Sequence, residues 1–273
     1  MPFPLVDIGI NLTDSSFAPD RAAVIDAARQ AGVGTLILTG TDLVSSQQAL
    51  ALCAEYGDGL YCTAGVHPHY AKEWSDQHRE EMLALTRHDR VVAIGETGLD
   101  YNRNLSPPEQ QRRVFEQQLA LAADTGLPLF LHERDAADDQ VALLRRFRNR
   151  ISGGVAHCFT GTAEVMQQYL ALDLHIGITG WICDERRGLH LREQVKEIPL
   201  NRLLLETDGP YLLPRDLQPK PKSRRNEPKY LPHIATVVAE CVGMSPEELA
   251  AVTTANAEGL FGLKSNTRSA GKT

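Results

Sequence analysis

The sequence of 273 residues predicts an α/β fold, a closed (β/α)8 barrel, and three observations support this. Short apolar runs alternate with stretches of helical periodicity, and a connection of helix length is what joins two parallel strands. Eight such runs occur, the number that closes this barrel. The alternative is an open doubly wound sheet, which usually carries a glycine-rich phosphate turn, but neither GxGxxG nor GxxxxGK followed by Ser or Thr occurs.

The apolar runs predict the strands, in chain order, at Leu5–Ile10, Val33–Thr39, Leu60–Ala64, Val91–Ile94, Pro128–Leu131, Gly153–Ala156, Asp173–Ile178 and Arg202–Leu205. The stretches between them carry helix signals. The clearest begins at Pro107 and Pro108, because proline suits the first turn of a helix, and it stays amphipathic to about Asp124. Gly126 is its predicted stop.

Composition and chain organisation indicate one globular unit. Hydrophobic residues make up 42% of the chain and charged residues 23%, which is enough for a sizeable core. Because no linker rich in glycine or serine precedes residue 264, we expect one catalytic domain over residues 1–263 and a polar tail over 264–273. The net charge of −7 argues against a chain-wide attraction for nucleic acid, so a polyanion would need a local basic patch.

The cysteines and the apolar runs indicate the compartment. Five cysteines are scattered without a CxxC pair, which is typical of a reducing cytosol. The amino terminus has no basic segment before its apolar stretch, and no apolar run is long enough to cross a bilayer. We therefore expect a cytoplasmic protein without a membrane partner. The residues carry no signal of oligomeric state, and a monomer is the default expectation.

Four side chains that can bind a metal follow apolar runs directly. Glu96, His132, His157 and Asp208 occur in the segments VVAIGE, PLFLH, GGVAH and LLLETD. Taken singly, each has an ordinary structural explanation, such as a capping carboxylate or a buried histidine with a hydrogen-bond partner. The carboxyl ends of parallel barrel strands meet on one face, however, so the four together predict one divalent metal site.

Two further segments fall on the same predicted face. His67 and His69 in GVHPHY could orient a substrate or protonate a leaving group, although a rigid turn around Pro68 explains the segment equally well. The loop Leu212–Lys229 is rich in proline and basic residues. Late barrel loops often bind phosphate, and a solvated connector is the equal alternative.

Several ordered segments resemble one known family. They are DIGINLTD, GVHPH, IGETGLDYNRN, HERDA, HCFTGT, GITGWICDERRG, ETDGPYLLPRDL and RRNEPKYLPHI. Together they resemble the TatD family of metal-dependent deoxyribonucleases, its bacterial members above all, from about residue 6 to about residue 262. The resemblance implies a TIM barrel of the metal-dependent hydrolase (amidohydrolase-like) type. It also implies 3′–5′ exonuclease activity on single-stranded DNA, with RNA as a further substrate, and a role in DNA repair or DNA fragmentation.

Carried over position by position, the family's metal ligands and its strand-eight acid fall on Glu96, His132, His157 and Asp208. Many members also have an HxH pair on the first strand, where this chain has Gly9 and Asn11. Neither residue replaces an imidazole, so we expect one ion rather than two. The remaining ligands are rich in oxygen, which favours Mg²⁺ over the alternatives Mn²⁺ and Zn²⁺.

The resemblance also suggests roles around the ion. We expect Asp208 to accept the proton of the attacking water, His67 to act at the leaving oxygen, and Arg134 to bind a substrate phosphate. Aromatic residues near the same face could stack bases, although we expect Phe159 to be a packing residue: Tyr101, Phe159, Trp181 and Tyr211. The rival functions are a metal-dependent hydrolase of an ester, lactone or aminoacyl-tRNA bond and a non-catalytic remnant.

Overall fold

In the computed structural model, which describes residues 4–264, eight parallel strands lie in chain order, each hydrogen-bonded to the next. They are β1 (Leu5–Ile10), β2 (Val33–Leu38), β3 (Leu60–Ala64), β4 (Val91–Asp100), β5 (Leu129–Arg134), β6 (Gly154–Ala156), β7 (His175–Ile178) and β8 (Leu203–Leu205). The predicted (β/α)8 barrel is confirmed.

The α-helices in the described residues follow the strands. They are α1 (Arg21–Gln30), α2 (Leu43–Tyr56), α3 (Asp76–Leu85), α4 (Pro108–Thr125), α5 (Ala137–Phe147), α6 (Ala163–Ala171), α7 (Leu189–Gln194), α8 (Leu231–Val242) and α9 (Pro246–Phe261). Helix α4 has the predicted signals, because Pro107 precedes its first residue and Gly126 follows its last residue with a left-handed φ of 73°. Glycine adopts that conformation without the cost of a Cβ clash.

Strands β4 and β5 extend further than their apolar runs predict. Strand β4 continues past Ile94 to Asp100, because Gly98 pairs with His132 and Asp100 pairs with Arg134 along β5. Glu96 and His132 therefore lie inside strands and not just after them. At the other end of the barrel, β7 begins two residues later than predicted, because the left-handed φ of 63° at Asp173 is incompatible with a strand.

The barrel closes through a buried carboxylate between its first and last strands. Asp7 in β1 accepts hydrogen bonds from the backbone N–H of Thr207 at 2.9 Å and from the Thr207 hydroxyl at 2.5 Å. The backbone N–H of Asp208 donates to the carbonyl of Gly9 at 2.9 Å, and a parallel bridge joins Ile10 to Gly209. These contacts bring the segment after β8 against β1.

The inside of the barrel is filled from below by apolar side chains. Phe130 of β5 is fully buried in a cluster with Ile8, and α9 adds Ala257 and Phe261 to the same cluster. The Phe130 ring lies 4.6 Å from the His157 ring between centroids. Apolar packing therefore forms the floor on which the polar residues of the opposite end rest.

No helix among residues 4–264 is long and apolar enough to cross a membrane. The division into a catalytic domain over residues 1–263 and a tail stays a proposal, supported by the unbroken run of barrel elements up to α9. The tail prediction for 264–273 falls, from residue 265 onward, outside the described residues.

The Asp7 carboxyl should make stability depend on pH. Burial raises its pKa to about 7 from 3.8, against the lowering effect of the Thr207 hydrogen bonds. Because the carboxyl holds its proton more firmly in the folded protein than in the unfolded one, it stabilises the fold fully at pH values below the unfolded pKa of 3.8. That contribution is lost as the pH rises from there through the folded pKa of about 7. Asp7→Asn does not titrate, so between about pH 5 and about pH 8 it should gain about 2–3 kcal/mol relative to the unmodified protein.

Urea unfolding in the presence of a chelator at both pH values measures this difference. The matched control is Asp58→Asn, whose carboxylate is fully exposed in the structure. A free-energy difference between Asp7→Asn and the unmodified protein that stays constant with pH would contradict the assignment.

Candidate metal centre

The carboxyl ends of the strands surround a cavity of about 1610 Å³, here called the mouth cavity. Every residue that the sequence predicts for the site lines it: His67, Glu96, His132, Arg134, His157 and Asp208. The structure therefore brings the predicted residues to one place, as expected for side chains at the ends of parallel strands.

One carboxylate oxygen of Glu96 lies at the centre of three imidazoles. Its Oε1 is 3.0 Å from His132 Nδ1, 3.0 Å from His157 Nε2 and 3.3 Å from His67 Nε2. The three histidines come from the ends of β3, β5 and β6, so the contacts depend on correct strand order. Glu96 is itself buried, and these imidazoles offset the cost of placing its charge there.

His132 and His157 share a second feature, a carboxylate at the ring nitrogen that faces away from Glu96. His132 Nε2 lies 3.3 Å from Asp100 Oδ2, and His157 Nδ1 lies 3.2 Å from Glu206 Oε2. A metal-binding histidine almost always donates its other ring N–H to such a partner, which fixes the tautomer and orients the ring. These two imidazoles and Glu96 therefore fit a divalent cation.

His67 has a different arrangement, although it lies beside the same oxygen. Its Nδ1 accepts the backbone N–H of His69 at 3.1 Å. Burial lowers the pKa of His67 to about 4, against the opposing charge of Glu96, so the ring is neutral at neutral pH. The single ring proton is then on Nε2, which makes His67 a hydrogen-bond donor toward Glu96 and the cavity, although its ring also lies close enough to Glu96 and His132 to join them around an ion.

The electrostatics of the cluster are those of a cation site. Burial alone would raise the pKa of Glu96, but the charge of His157 and the hydrogen bonds of His132 and His157 hold it well below its usual value. Burial would likewise lower the pKa of His157, and the charges of Glu96 and Glu206 hold it well above its usual value. Imidazole protons thus lie between the carboxylates, and metal binding requires their release.

Asp208 is held beside the cluster by the residue that follows β1. Asn11 Nδ2 donates to Asp208 Oδ1 at 3.1 Å and to the Gly209 carbonyl at 3.2 Å. The φ of Asp208 is 55°, a left-handed conformation that non-glycine residues adopt at some cost and that is common at functional sites. Burial raises the pKa of Asp208 to about 7, which the charge of His157 partly counteracts.

The first strand leaves no room for an imidazole at Gly9. A Cβ there would lie 2.5 Å from Glu206 Oε2 and 3.0 Å from the Phe130 ring. Glu206 is completely buried, and its other oxygen accepts the backbone N–H of Cys158 at 2.5 Å. The position of a first-strand histidine is thus taken by the carboxylate that holds His157.

The basic loop contributes less to the cavity than the sequence suggests. Arg215 pairs with Glu185 at 3.2 Å, while Arg225 pairs with Asp20 at 2.7 Å. Of the loop residues 212–229, only Leu212 lines the mouth cavity. Arg134 is exposed at the cavity wall, as are the aromatic ring of Tyr211 and, in part, that of Trp181.

Sequence reasoning did not assign roles to Asp100, Glu206 or Asp7. Glu206 carried a signal, since two acids two residues apart at a strand end require positive compensation, which His157 supplies. His69 Nε2 lies 2.8 Å from Asp100 Oδ2, and this contact depends on the extension of β4, which the sequence did not predict. Asp7 gave no signal beyond its place in an apolar strand.

Comparison with known sequences identifies the family. Residues 6–262 match the family described as TatD related DNase. The chain is 54% identical over 262 residues to a 3′-5′ ssDNA/RNA exonuclease TatD of Klebsiella pneumoniae (strain 342), covering 96% of this chain and 99% of that protein. The protein of the same name from Citrobacter rodentium (strain ICC168) is 54% identical over 259 residues, which is 95% of this chain and 98% of that protein.

Comparison with solved structures supports the same family. A TatD homologue from Escherichia coli K12 has a TM-score of 0.86 at 29% identity, covering 95% of this chain and 98% of its own. A TatD family hydrolase from Entamoeba histolytica has a TM-score of 0.87 at 30% identity, covering 96% and 99%. An organophosphate hydrolase engineered from a lactonase template, with a TM-score of 0.60 at 16% identity, shows the shared fold alone. The resemblance seen in the motifs is confirmed, and the chain belongs to the family of TatD related DNases.

Proposed function

We propose that this protein is a divalent-metal-dependent 3′–5′ exonuclease that acts on single-stranded DNA and on RNA. The observation that carries the proposal is the arrangement at Glu96, where His132 and His157 each direct one ring nitrogen to the same oxygen and hold the other against a carboxylate. The names of the relatives at 54% identity support the substrate and the direction of cleavage.

We propose Glu96, His132, His157 and Asp208 as ligands of one Mg²⁺ ion, with Mn²⁺ and Zn²⁺ as alternatives. Carboxylate oxygens favour a hard cation, and the nearby acids Asp100 and Glu206 add negative charge around it. The space beside Gly9 supports a single ion, because an imidazole at position 9 would clash with the Glu206 carboxylate.

At such a site a divalent cation supplies polarisation of a phosphoryl oxygen and activation of an attacking water. We propose that Asp208 accepts the water proton, since Asn11 fixes its Oδ1 and leaves the second oxygen available. His67 would donate its Nε2 hydrogen to the leaving oxygen. Its neutral state makes this a stabilising hydrogen bond and not the delivery of a proton from an imidazolium ion.

Substrate binding would use the exposed wall of the mouth cavity. Arg134 can pair two phosphate oxygens at once. Tyr211, of which 55% is exposed, is free to stack on an unpaired base, whereas Phe159 is buried as expected for a packing residue. A monomeric state, a cytoplasmic location and a role in DNA repair or DNA fragmentation stay predictions of the sequence.

Removal of the metal should abolish nuclease activity, and Mg²⁺ should restore it. His157→Ala and His132→Ala should each reduce cleavage of single-stranded DNA by about 100-fold or more, because even partners of metal ligands cost up to about 100-fold. The matched control is His88→Ala, an exposed histidine before β4 at the opposite end of the barrel, which should retain activity.

Circular dichroism checks that the variants fold. Full cleavage in excess chelator, or by His157→Ala, would refute the metal assignment. A panel of aryl esters and lactones run beside DNA separates the rival hydrolase, because turnover of these substrates without nuclease activity would favour it. Tight metal binding without turnover on any substrate would favour a non-catalytic remnant.

His67→Ala should separate catalysis from metal binding. Loss of one hydrogen-bond donor to developing charge lowers kcat by about 100-fold. The Mn²⁺ affinity, measured by isothermal titration calorimetry, should stay within about threefold, whereas His157→Ala should weaken it at least about tenfold. If His67→Ala weakened Mn²⁺ binding as much as His157→Ala does, His67 would be a ligand and the tautomer argument would be wrong.

Arg134→Ala should weaken substrate binding without changing the metal. We expect a higher KM for oligodeoxynucleotides, and the slope of log affinity against log salt should fall by about 0.7, the value for one phosphate contact with a single strand. Arg146→Ala is the control, because Arg146 lies on α5 and pairs with Glu116 at 2.7 Å. An unchanged salt slope in Arg134→Ala would exclude the phosphate contact.

A further inference from the structure

A second group of possible metal ligands lies outside the mouth cavity. Cys183 ends the short helix after β7, Asp216 lies in the loop after β8, and His233 is in the first turn of α8. One ligand atom from each lies within 4.8 Å of the other two. We propose that these three residues bind a zinc-type transition-metal ion at a site separate from the catalytic centre and independent of the proposed nuclease function.

The three side chains already converge on one carboxylate. His233 Nε2 lies 2.7 Å from Asp216 Oδ1, and the Cys183 sulfur lies within 4.8 Å of a carboxylate oxygen of Asp216 and of a ring nitrogen of His233. Arg192 Nη2 lies 3.7 Å from the second oxygen, Oδ2, and Arg192 Nε donates to the Ile182 carbonyl at 3.0 Å. Arg192 thereby holds Oδ2 while Oδ1 faces the histidine.

The donor types select the ion. A thiolate and an imidazole are ligands of Zn²⁺ and similar ions, whereas Mg²⁺ prefers oxygen ligands and water. Around tetrahedral Zn²⁺, nitrogen and oxygen ligands at 2.0–2.1 Å lie about 3.3 Å apart, so the present contact between His233 and Asp216 must open by about 0.6 Å. Their side chains are 31% and 35% exposed, which leaves room for that shift and for a water as fourth ligand.

Metal binding at this site requires that the ligand atoms lose their protons. The thiol of Cys183 must lose its proton to solvent as the sulfur coordinates, and the His233 ring must present Nε2 without a proton. The contact between His233 and Asp216 is then exchanged for two bonds to the ion. Because the protein supplies three ligands and Arg192 adds a positive charge nearby, we expect weaker binding than at a structural site with four ligands.

Occupancy would affect the wall of the mouth cavity. The ion would join three segments of the chain: the turn after β7, the basic loop and α8. Trp181, two residues before Cys183, and Leu212, four residues before Asp216, both line the cavity. The site would thus fasten the loop that borders the substrate-binding wall.

The test is titration of the purified full-length protein with Co²⁺ in excess Mg²⁺, following the thiolate-to-cobalt charge-transfer absorption. We expect one such band, displaced by Zn²⁺, absent in Cys183→Ser and present in two controls. Cys158→Ser removes the cysteine next to the catalytic His157, and Cys241→Ser removes the cysteine of α8. His233→Ala should weaken Co²⁺ binding by at least about tenfold.

Absence of the band in the unmodified protein would overturn the proposal, and the three residues would then be only neighbouring polar side chains. A band that persists in Cys183→Ser, or that disappears in Cys158→Ser or Cys241→Ser, would also overturn it. If Cys183→Ser fails to fold, His233→Ala decides, because its partly exposed side chain can be removed at little structural cost and an unchanged affinity would contradict the site. None of these readouts depends on nuclease activity.

Discussion

The contact of three imidazoles with one oxygen of Glu96 is the interaction on which the rest of the site depends. The histidines come from the ends of three strands, so the contact exists only if β3 to β6 lie in order and in register. A buried carboxylate without those partners would be costly, and the imidazoles would be equally costly without the acids. The metal site and the strand order at the mouth of the barrel therefore depend on each other.

The three imidazoles differ in the group that contacts the ring nitrogen facing away from Glu96. Carboxylates hold His132 and His157, which suits metal ligands, whereas a backbone N–H holds His67, which suits a neutral donor. The same logic explains the first strand. Glu206 can reach His157 only because Gly9 has no side chain. This chain therefore lacks a possible ligand at Gly9, but the ligand that follows β6, His157, is firmly oriented.

The sequence predicted the strand count, the order of the elements and the residues that meet at the mouth, because apolar periodicity and strand-end chemistry are local signals. It did not predict the roles of Asp100 and Glu206. The first depends on the pairing of β4 with β5 beyond Glu96, and the second on a cross-barrel contact with His157, both of which are set by tertiary packing. The tautomer of His67 likewise depends on a turn geometry that residue spacing does not encode.

The central claim is that one ion binds between Glu96, His132, His157 and Asp208. Anomalous diffraction from crystals soaked in Mn²⁺ tests it most directly, because the signal locates and counts the ions independently of activity. The account predicts a single peak in the mouth cavity within about 2.0–2.3 Å of ligand atoms from these four residues. A second peak beside Gly9 and Asn11, or a peak bound by His67 and not by His157, would contradict it.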